Sequence, residues 1–176
     1  LKKIAVMGAH SSAKTTRIEF LEQVFGVVKY PLYIVPEAAR LCPYDINQNA
    51  GFKAQMWMIE KQLRMEQFAE KKALEKANGH EPIILCDRTL YDMIVYSESL
   101  VKKDKMTTKD LASIESRVRE IFRKRLIRPY DQIYLCQPRP IIDDGVRDTD
   151  RGWQLELYNR FKNVVQRYDL PVVELR

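Results

Sequence analysis

The chain has 176 residues, 45% of them hydrophobic and 31% charged, with a formal net charge of +6; this is the profile of an ordinary globular protein, long enough for one well-packed domain over residues 1–176. The charge balance suits polyphosphate handling or solvated helix faces and does not by itself mark a nucleic-acid binder. Cys42, Cys86 and Cys136 lie too far apart for a zinc motif and are odd in number, which argues against a disulfide framework; with no signal-peptide pattern and no apolar run of membrane-spanning length, the expected location is cytoplasmic.

The first predicted strand, Lys3–Met7, holds the apolar run Ile4-Ala5-Val6-Met7 and leads into Gly8-Ala9-His10-Ser11-Ser12-Ala13-Lys14-Thr15-Thr16. That segment fits the phosphate-binding loop pattern G-x-x-x-x-G-K-[ST] at every diagnostic position but one. In the pattern, backbone N–H groups of the loop and first helical turn point inward and cradle nucleotide phosphates, so Gly8 through Thr16 are candidate nucleotide-binding residues. Lys14 is placed to carry positive charge to the β- and γ-phosphates, and the Thr15 hydroxyl is a candidate Mg²⁺ ligand. The exception is Ala13, where the pattern has glycine. Its methyl fits if residue 13 is already helical and otherwise crowds the β-phosphate. Arg17–Phe25 predicts the following helix, with Ile18, Leu21 and Phe25 on one face and Gly26 as its stop.

Tyr33–Pro36 predicts the second strand, followed by a loop from Leu41 to Ala50 and a long helix from Gln55 to Asn78. The third strand is expected at Pro82–Asp87, with helices at Leu90–Leu100 and Thr107–Leu126; Thr107-x-x-Asp110 has the form of a capping box. A fourth strand at Gln132–Cys136 precedes a Pro-, Asp- and Gly-rich loop at Pro138–Thr149. A helix from about Asp150 to Tyr168 and a strand at Pro171–Leu175 close the series. Such alternation predicts a three-layer α/β fold, a five-stranded parallel sheet with helices on both faces. Ligands of open parallel sheets bind beyond the carboxyl ends of the strands. One rim then collects the phosphate loop, Leu41–Ala50 and a candidate lid over residues 138–151.

Charged residues at that rim carry the chemistry. Glu37 emerges from strand two, where a carboxylate accepts a proton from a substrate hydroxyl or holds that hydroxyl in line with a γ-phosphate; the plainer role is an acid in a helix first turn. Arg40, one turn on, reaches a substrate phosphate or pairs with Glu37. The run Ile83-Ile84-Leu85-Cys86 followed by Asp87 has the form of a strand whose terminal carboxylate completes a Mg²⁺ shell. Arg88 then lies near a transferring phosphoryl group, with Asp92 orienting it. Arg147 and Arg151 are candidates to fold over phosphates, hinged at Gly145. His10 and His80 are not expected to be catalytic. Phe52 and Trp57 are read as core and Gln55 as solvated, although stacking and an amide contact to a nucleobase fit the same positions. Cys86 and Cys136 are read as core thiols.

Taken together, Val35-Pro36-Glu37-Ala38-Ala39-Arg40, Asp87-Arg88-Thr89-x-x-Asp92 and Asp143-Asp144-Gly145-Val146-Arg147 resemble the NadR-like AAA-type P-loop ATPase/kinase family, the ribosylnicotinamide kinase-like group. The Asp-Arg-Thr segment is also similar to motifs of thymidylate and deoxynucleoside kinases. The resemblance implies ATP (or GTP) and Mg²⁺ as cofactors, with Lys14 at the β/γ-phosphates and Thr15 and Asp87 on the metal. It further implies Glu37 or Asp87 as base and Arg88 and Arg147 as clamps on the transferred group. The implied partners are a nucleoside triphosphate and a small nucleoside-like or nucleotide acceptor. Two other functions share these motifs. One is a nucleotide-dependent ATPase/GTPase switch without a metabolite acceptor. The other is a polynucleotide 5′-kinase, in which the basic charge tracks phosphates.

Overall fold

A computed structural model describes residues 1–27, 30–77, 79–140 and 150–175. Its sheet is built from β1 (Lys2–Met7), β2 (Leu32–Val35), β3 (Ile83–Asp87), β4 (Gln132–Cys136) and β5 (Val172–Leu175). All four pairings are parallel and the spatial order is β2-β3-β1-β4-β5. The central strands read as unbroken apolar runs because both of their faces are covered. Side chains alternate along β1: Ala5 and Met7 enter one core, while Ile4 and Val6 enter the other.

Helices lie on both faces, as expected, but unevenly. Among the described helices, α1 (Lys14–Val27) alone covers the Ile4–Val6 side, setting Ile18, Leu21 and Phe25 against Leu85 and Cys136. The other face carries α2 (Phe52–Glu75), α3 (Leu90–Lys102), α4 (Thr108–Arg123) and α5 (Arg151–Arg167). Among the boundaries that differ from the sequence reading, two have a local cause. The first helix runs through Gly26 to Val27, where no neighbouring atom opposes the glycine. The long helix begins three residues earlier than expected because Gly51 occupies its N-cap, and it ends at Glu75, ahead of the Asn-Gly pair. The expected capping box forms, Thr107 with Asp110 on α4, and a second joins Thr89 with Asp92 on α3.

Beneath the sheet, at the amino ends of its strands, sits a buried ionic network. Lys3 Nζ, fully buried, lies 2.5 Å from Glu66 Oε2 and 2.8 Å from Glu70 Oε1. Burial alone would lower the Lys3 pKa, yet the neighbouring carboxylates, Glu66 foremost, outweigh it and raise it above the ordinary value. Glu66 Oε1 also accepts from Tyr130 Oη at 2.9 Å and Gln62 Nε2 at 2.9 Å. Tyr130 Oη in turn accepts from Leu90 N at 3.1 Å, fixing the first turn of α3. Removing one member of such a pair strands a charge in the interior, which costs about 3–5 kcal/mol. Lys3→Met is therefore expected to lose about that much stability in urea unfolding. Lys3→Met combined with Glu66→Gln should regain at least half of the loss; a double variant as unstable as the single one would refute the charge argument.

Candidate functional site

The phosphate loop is shaped by close backbone packing. At Gly8 (φ 147°) an added Cβ would lie 2.9 Å from the Cys136 carbonyl oxygen and 3.0 Å from Ser12 Oγ, so β4 presses on the loop where only glycine fits. Ser11 and Ala13 adopt φ of 53° and 56°. Residue 13 is thus left-handed and not helical, and its methyl sits in a conformation that glycine tolerates far better. Lys14 opens α1 and turns its ammonium back across the loop, donating to the Ala9 carbonyl at 2.6 Å and to Ser12 Oγ at 3.3 Å. Burial first, then the neighbouring Arg88 charge, lowers its pKa to about 8, against the pull of Glu37, Asp92 and Asp87. Thr15 and Thr16 stand exposed at the mouth.

Arg88 is the hub of the rim. Its Nε donates to Glu37 Oε1 at 2.7 Å, and one terminal nitrogen reaches the Gly8 carbonyl at 2.9 Å and Asp92 Oδ1 at 3.1 Å. The guanidinium also lies 5.4 Å from the centre of the Tyr96 ring. Arg88 holds φ at 92°, a strained value for a residue with a side chain. Asp92 works in two directions: one oxygen takes Arg88, while the other accepts from Thr89 N at 2.9 Å and Thr89 Oγ1 at 2.8 Å. Helix capping and orientation of the arginine are one device.

Glu37 does not cap the 3₁₀ turn Ala38–Leu41 that follows it. Its carboxylate takes Arg88, and Arg40 at 3.3 Å on the other oxygen. Burial would raise its pKa, but Arg88 and Lys14 together overcome this and hold it at about 2. Asp87 behaves oppositely: burial raises its pKa despite Arg88, and its Oδ1 is buried without a hydrogen-bond partner. A lone carboxylate oxygen and the Thr15 hydroxyl in one cleft are the donor types of a hard, oxygen-seeking cation such as Mg²⁺. Among the described residues no group of three or more acidic, His or Cys side chains could hold a metal by itself. Phosphate and water oxygens would have to complete the shell.

The loop residues His10–Thr16, with Glu37, Arg40, Tyr44, Asp87 and Arg88, line a cleft of about 590 Å³. A second, much smaller cavity of about 40 Å³ opens beside it and shares Glu37 and Arg88. Its other walls include Gln55, Met58, Met93 and Tyr96. Gln55 was expected in solvent; it is 2% exposed, with Oε1 unpartnered. Its position on the inner face of α2, beside Ala54 and Met58, is the reason. Of the two aromatics read as core, Trp57 packs against it, whereas Phe52 is exposed at the start of α2. Arg151 donates to the Arg139 carbonyl at 2.7 Å and to the Gln154 side chain, so it braces the start of α5. Arg147, with the rest of 141–149, lies outside the described residues. His10 is buried and stacks on Trp153 at 4.9 Å, and His80 is exposed. Tyr96 escaped the sequence reading, although Arg88, Asp92 and Tyr96 fall at the i, i+4, i+8 spacing of one helix face. Met58 and Met93 gave no signal separable from core packing.

No described helix is long and apolar enough to cross a membrane. A family model described as an AAA domain matches residues 3–176, and no curated relative matches significantly. Among solved structures, NadR in complex with NR superposes with a TM-score of 0.72 at 20% identity, over 99% of this chain and 45% of that one. NadR with NAD and AMP-PNP gives 0.69 at 18% identity, over 99% and 44%. A deoxyadenosine kinase from M. mycoides with dCMP and dCDP bound gives 0.65 at 16% identity, over 99% and 90%. The chain spans less than half of the NadR chains, and at these identities the likeness establishes the fold.

Two measurements check this geometry. Ala13→Gly relieves the left-handed strain and is expected to raise the melting temperature by about 2–4 °C, the scale of 1 kcal/mol in a chain of this size; an unchanged or lower value contradicts the strain. The unfolded chain binds more protons at Lys14 between pH 8 and its ordinary 10.5, so this group's contribution to stability rises across that window. A bound triphosphate should push the Lys14 pKa back up. ATP binding at pH 8.5 should then take up protons, seen as a calorimetric enthalpy that differs between HEPES and Tris; equal enthalpies would rule it out.

Proposed function

Because the chain belongs to the AAA domain family, we propose that it transfers the γ-phosphoryl group of ATP (or GTP), with Mg²⁺, to a hydroxyl or phosphate of a small nucleoside-like acceptor. The observation that carries this is the position of Arg88. It stands between the phosphate-loop cleft and the Gln55-lined cavity, within hydrogen-bond reach of both the Gly8 carbonyl and Glu37. A switch protein needs the cleft but has no use for a second, mostly apolar cavity opening onto the same arginine and edged by Gln55.

Phosphoryl transfer passes through a loose transition state, so positioning and charge stabilisation dominate. Lys14 exchanges its contact with the Ala9 carbonyl for phosphate oxygens, and the loop N–H groups hold the β-phosphate side. Arg88 stabilises the negative charge spread over the transferring group. Thr15 and Asp87 would hold Mg²⁺, which would supply positive charge to the triphosphate when bound. Glu37, with a pKa of about 2, is a weak base while paired to Arg88. Its oxygens serve first to accept a hydrogen bond from the acceptor hydroxyl and aim it in line. Gln55, its Oε1 free in the cavity wall, offers an amide to the acceptor's polar edge. The two NadR complexes, with NR and with NAD and AMP-PNP, and the dCMP- and dCDP-bound kinase share the fold, and their ligand classes support this choice of substrates.

A panel of nucleosides and nucleotides incubated with labelled ATP should identify one acceptor class that turns over. Arg88→Lys is expected to lower kcat by about 10²–10³-fold, and Lys14→Met to abolish ATP binding. Gln55→Leu should raise the KM of the acceptor and leave that of ATP unchanged. Slow hydrolysis indifferent to every acceptor would favour the switch. Turnover confined to 5′-hydroxyl oligonucleotides and steeply reduced by salt would favour a polynucleotide kinase.

A further inference from the structure

The carbonyl oxygens of the phosphate loop are held from behind by a residue far along the chain. Gln154, fully buried in the first turn of α5, directs its side-chain nitrogen at three carbonyls: His10 at 2.8 Å, Arg139 at 3.2 Å and Ser11 at 3.3 Å. Its oxygen accepts from Arg151, which can only donate. The amide is therefore oriented unambiguously, with an obligate donor on one side and three obligate acceptors on the other. Its two hydrogens are shared among the three carbonyls, and His10 has the shortest contact.

A trans peptide sets the carbonyl of one residue and the N–H of the next in opposite directions. A His10 carbonyl drawn toward α5 turns the Ser11 N–H away from α5, and a Ser11 carbonyl drawn the same way turns the Ser12 N–H. Neither N–H donates to a backbone carbonyl among the described residues. The left-handed φ of 53° at Ser11 is the conformation this pull sustains. His10 stacked on Trp153, the residue before Gln154, grips the loop from the same side.

We propose that Gln154, braced by Arg151, is a positioning residue for polyphosphate binding: by holding two carbonyls outward it aims the N–H groups of Ser11 and Ser12 into the anion cradle. This rests on the phosphotransferase reading for its ligand but not for its geometry. Gln154 touches no phosphate itself. It supplies the loop's shape from 144 residues away in sequence.

Gln154→Met keeps the length of the side chain and removes the donor; Gln154→Glu sets a carboxylate against the carbonyls. Binding of ATP and of inorganic tripolyphosphate, followed by calorimetry, is expected to weaken about ten- to a hundred-fold in the Met variant, the scale of one or two charge-assisted hydrogen bonds, and further in the Glu variant. The KM of the acceptor should stay constant while that of ATP rises. In the ligand-free protein, the ¹H–¹⁵N resonances of Ser11 and Ser12 should shift in both variants, with those of α2 unmoved. Arg151→Met, which frees the amide to turn over, should give a smaller effect of the same kind and carries the test if Gln154→Met does not fold. Tripolyphosphate bound by Gln154→Met as tightly as by the wild type, with Ser11 and Ser12 unshifted, would overturn the proposal. A wild-type protein that binds neither ATP nor tripolyphosphate would instead overturn the phosphotransferase reading, and the resonance comparison would still decide the geometry.

Discussion

The rim of this sheet depends on one guanidinium. Arg88 leaves the tip of β3, yet its partners come from everywhere else: Glu37 after β2, the Gly8 carbonyl after β1 and Asp92 in the first turn of α3. A planar fork with several fixed donors suits that task, since each direction meets a different acceptor. The cost is visible in the backbone, where Arg88 is held at φ 92°. Strain of this sort persists only where the surroundings over-determine it, and here three chain segments do so. These bonds leave Glu37 ionised, whereas burial makes Asp87 reluctant to be despite Arg88, so two carboxylates within one cleft have opposite tendencies.

Charge is buried at both ends of the sheet, and one helix start joins the two. At the amino ends, Lys3 and Glu66 reach Tyr130, whose hydroxyl accepts the Leu90 N–H. At the carboxyl ends, Asp92 accepts the Thr89 N–H and Arg88. At the start of α3 the Leu90 N–H is thus satisfied from below by the structural network, and the Thr89 and Asp92 N–H groups by the cap at the rim. That double fixation locates Asp87, Arg88 and Thr89 between two rigid supports.

The strands and the phosphate loop were legible because their signals are local: apolar runs bounded by turn residues, and a spacing of Gly, Lys and Thr that only one backbone shape satisfies. The orientation of Arg88 by Asp92 was also legible in spacing, and of the two roles open for Arg40 the structure shows the pairing with Glu37. What escaped was long-range. Gln55 looks solvated in sequence because an amide among charged neighbours carries no periodic signature, and only the placement of α2 against β2 and β3 buries it. Gln154 carries no motif signal in sequence, and only the packing of α5 beside the loop brings it to the loop carbonyls. Ala13 was read through its size, whereas its backbone conformation decides its effect, and a left-handed alanine leaves no trace in composition. Arg147, the one clamp assigned to the 141–149 segment, falls outside the described residues.

The lopsided layering has a bearing on energetics. Among the described residues, four helices brace one face of the sheet, while α1 is the one helix on the other, with Phe20, Val24 and Val27 of the same helix turned to solvent. The segment with the thinnest support is also the one whose first turn would meet the anion. A ligand seated there adds its binding free energy to the local closing equilibrium of that helix, by mass action alone. Saturation with nucleotide would then act as a second wall for the uncrowded side, and its departure would leave that layer the first to breathe.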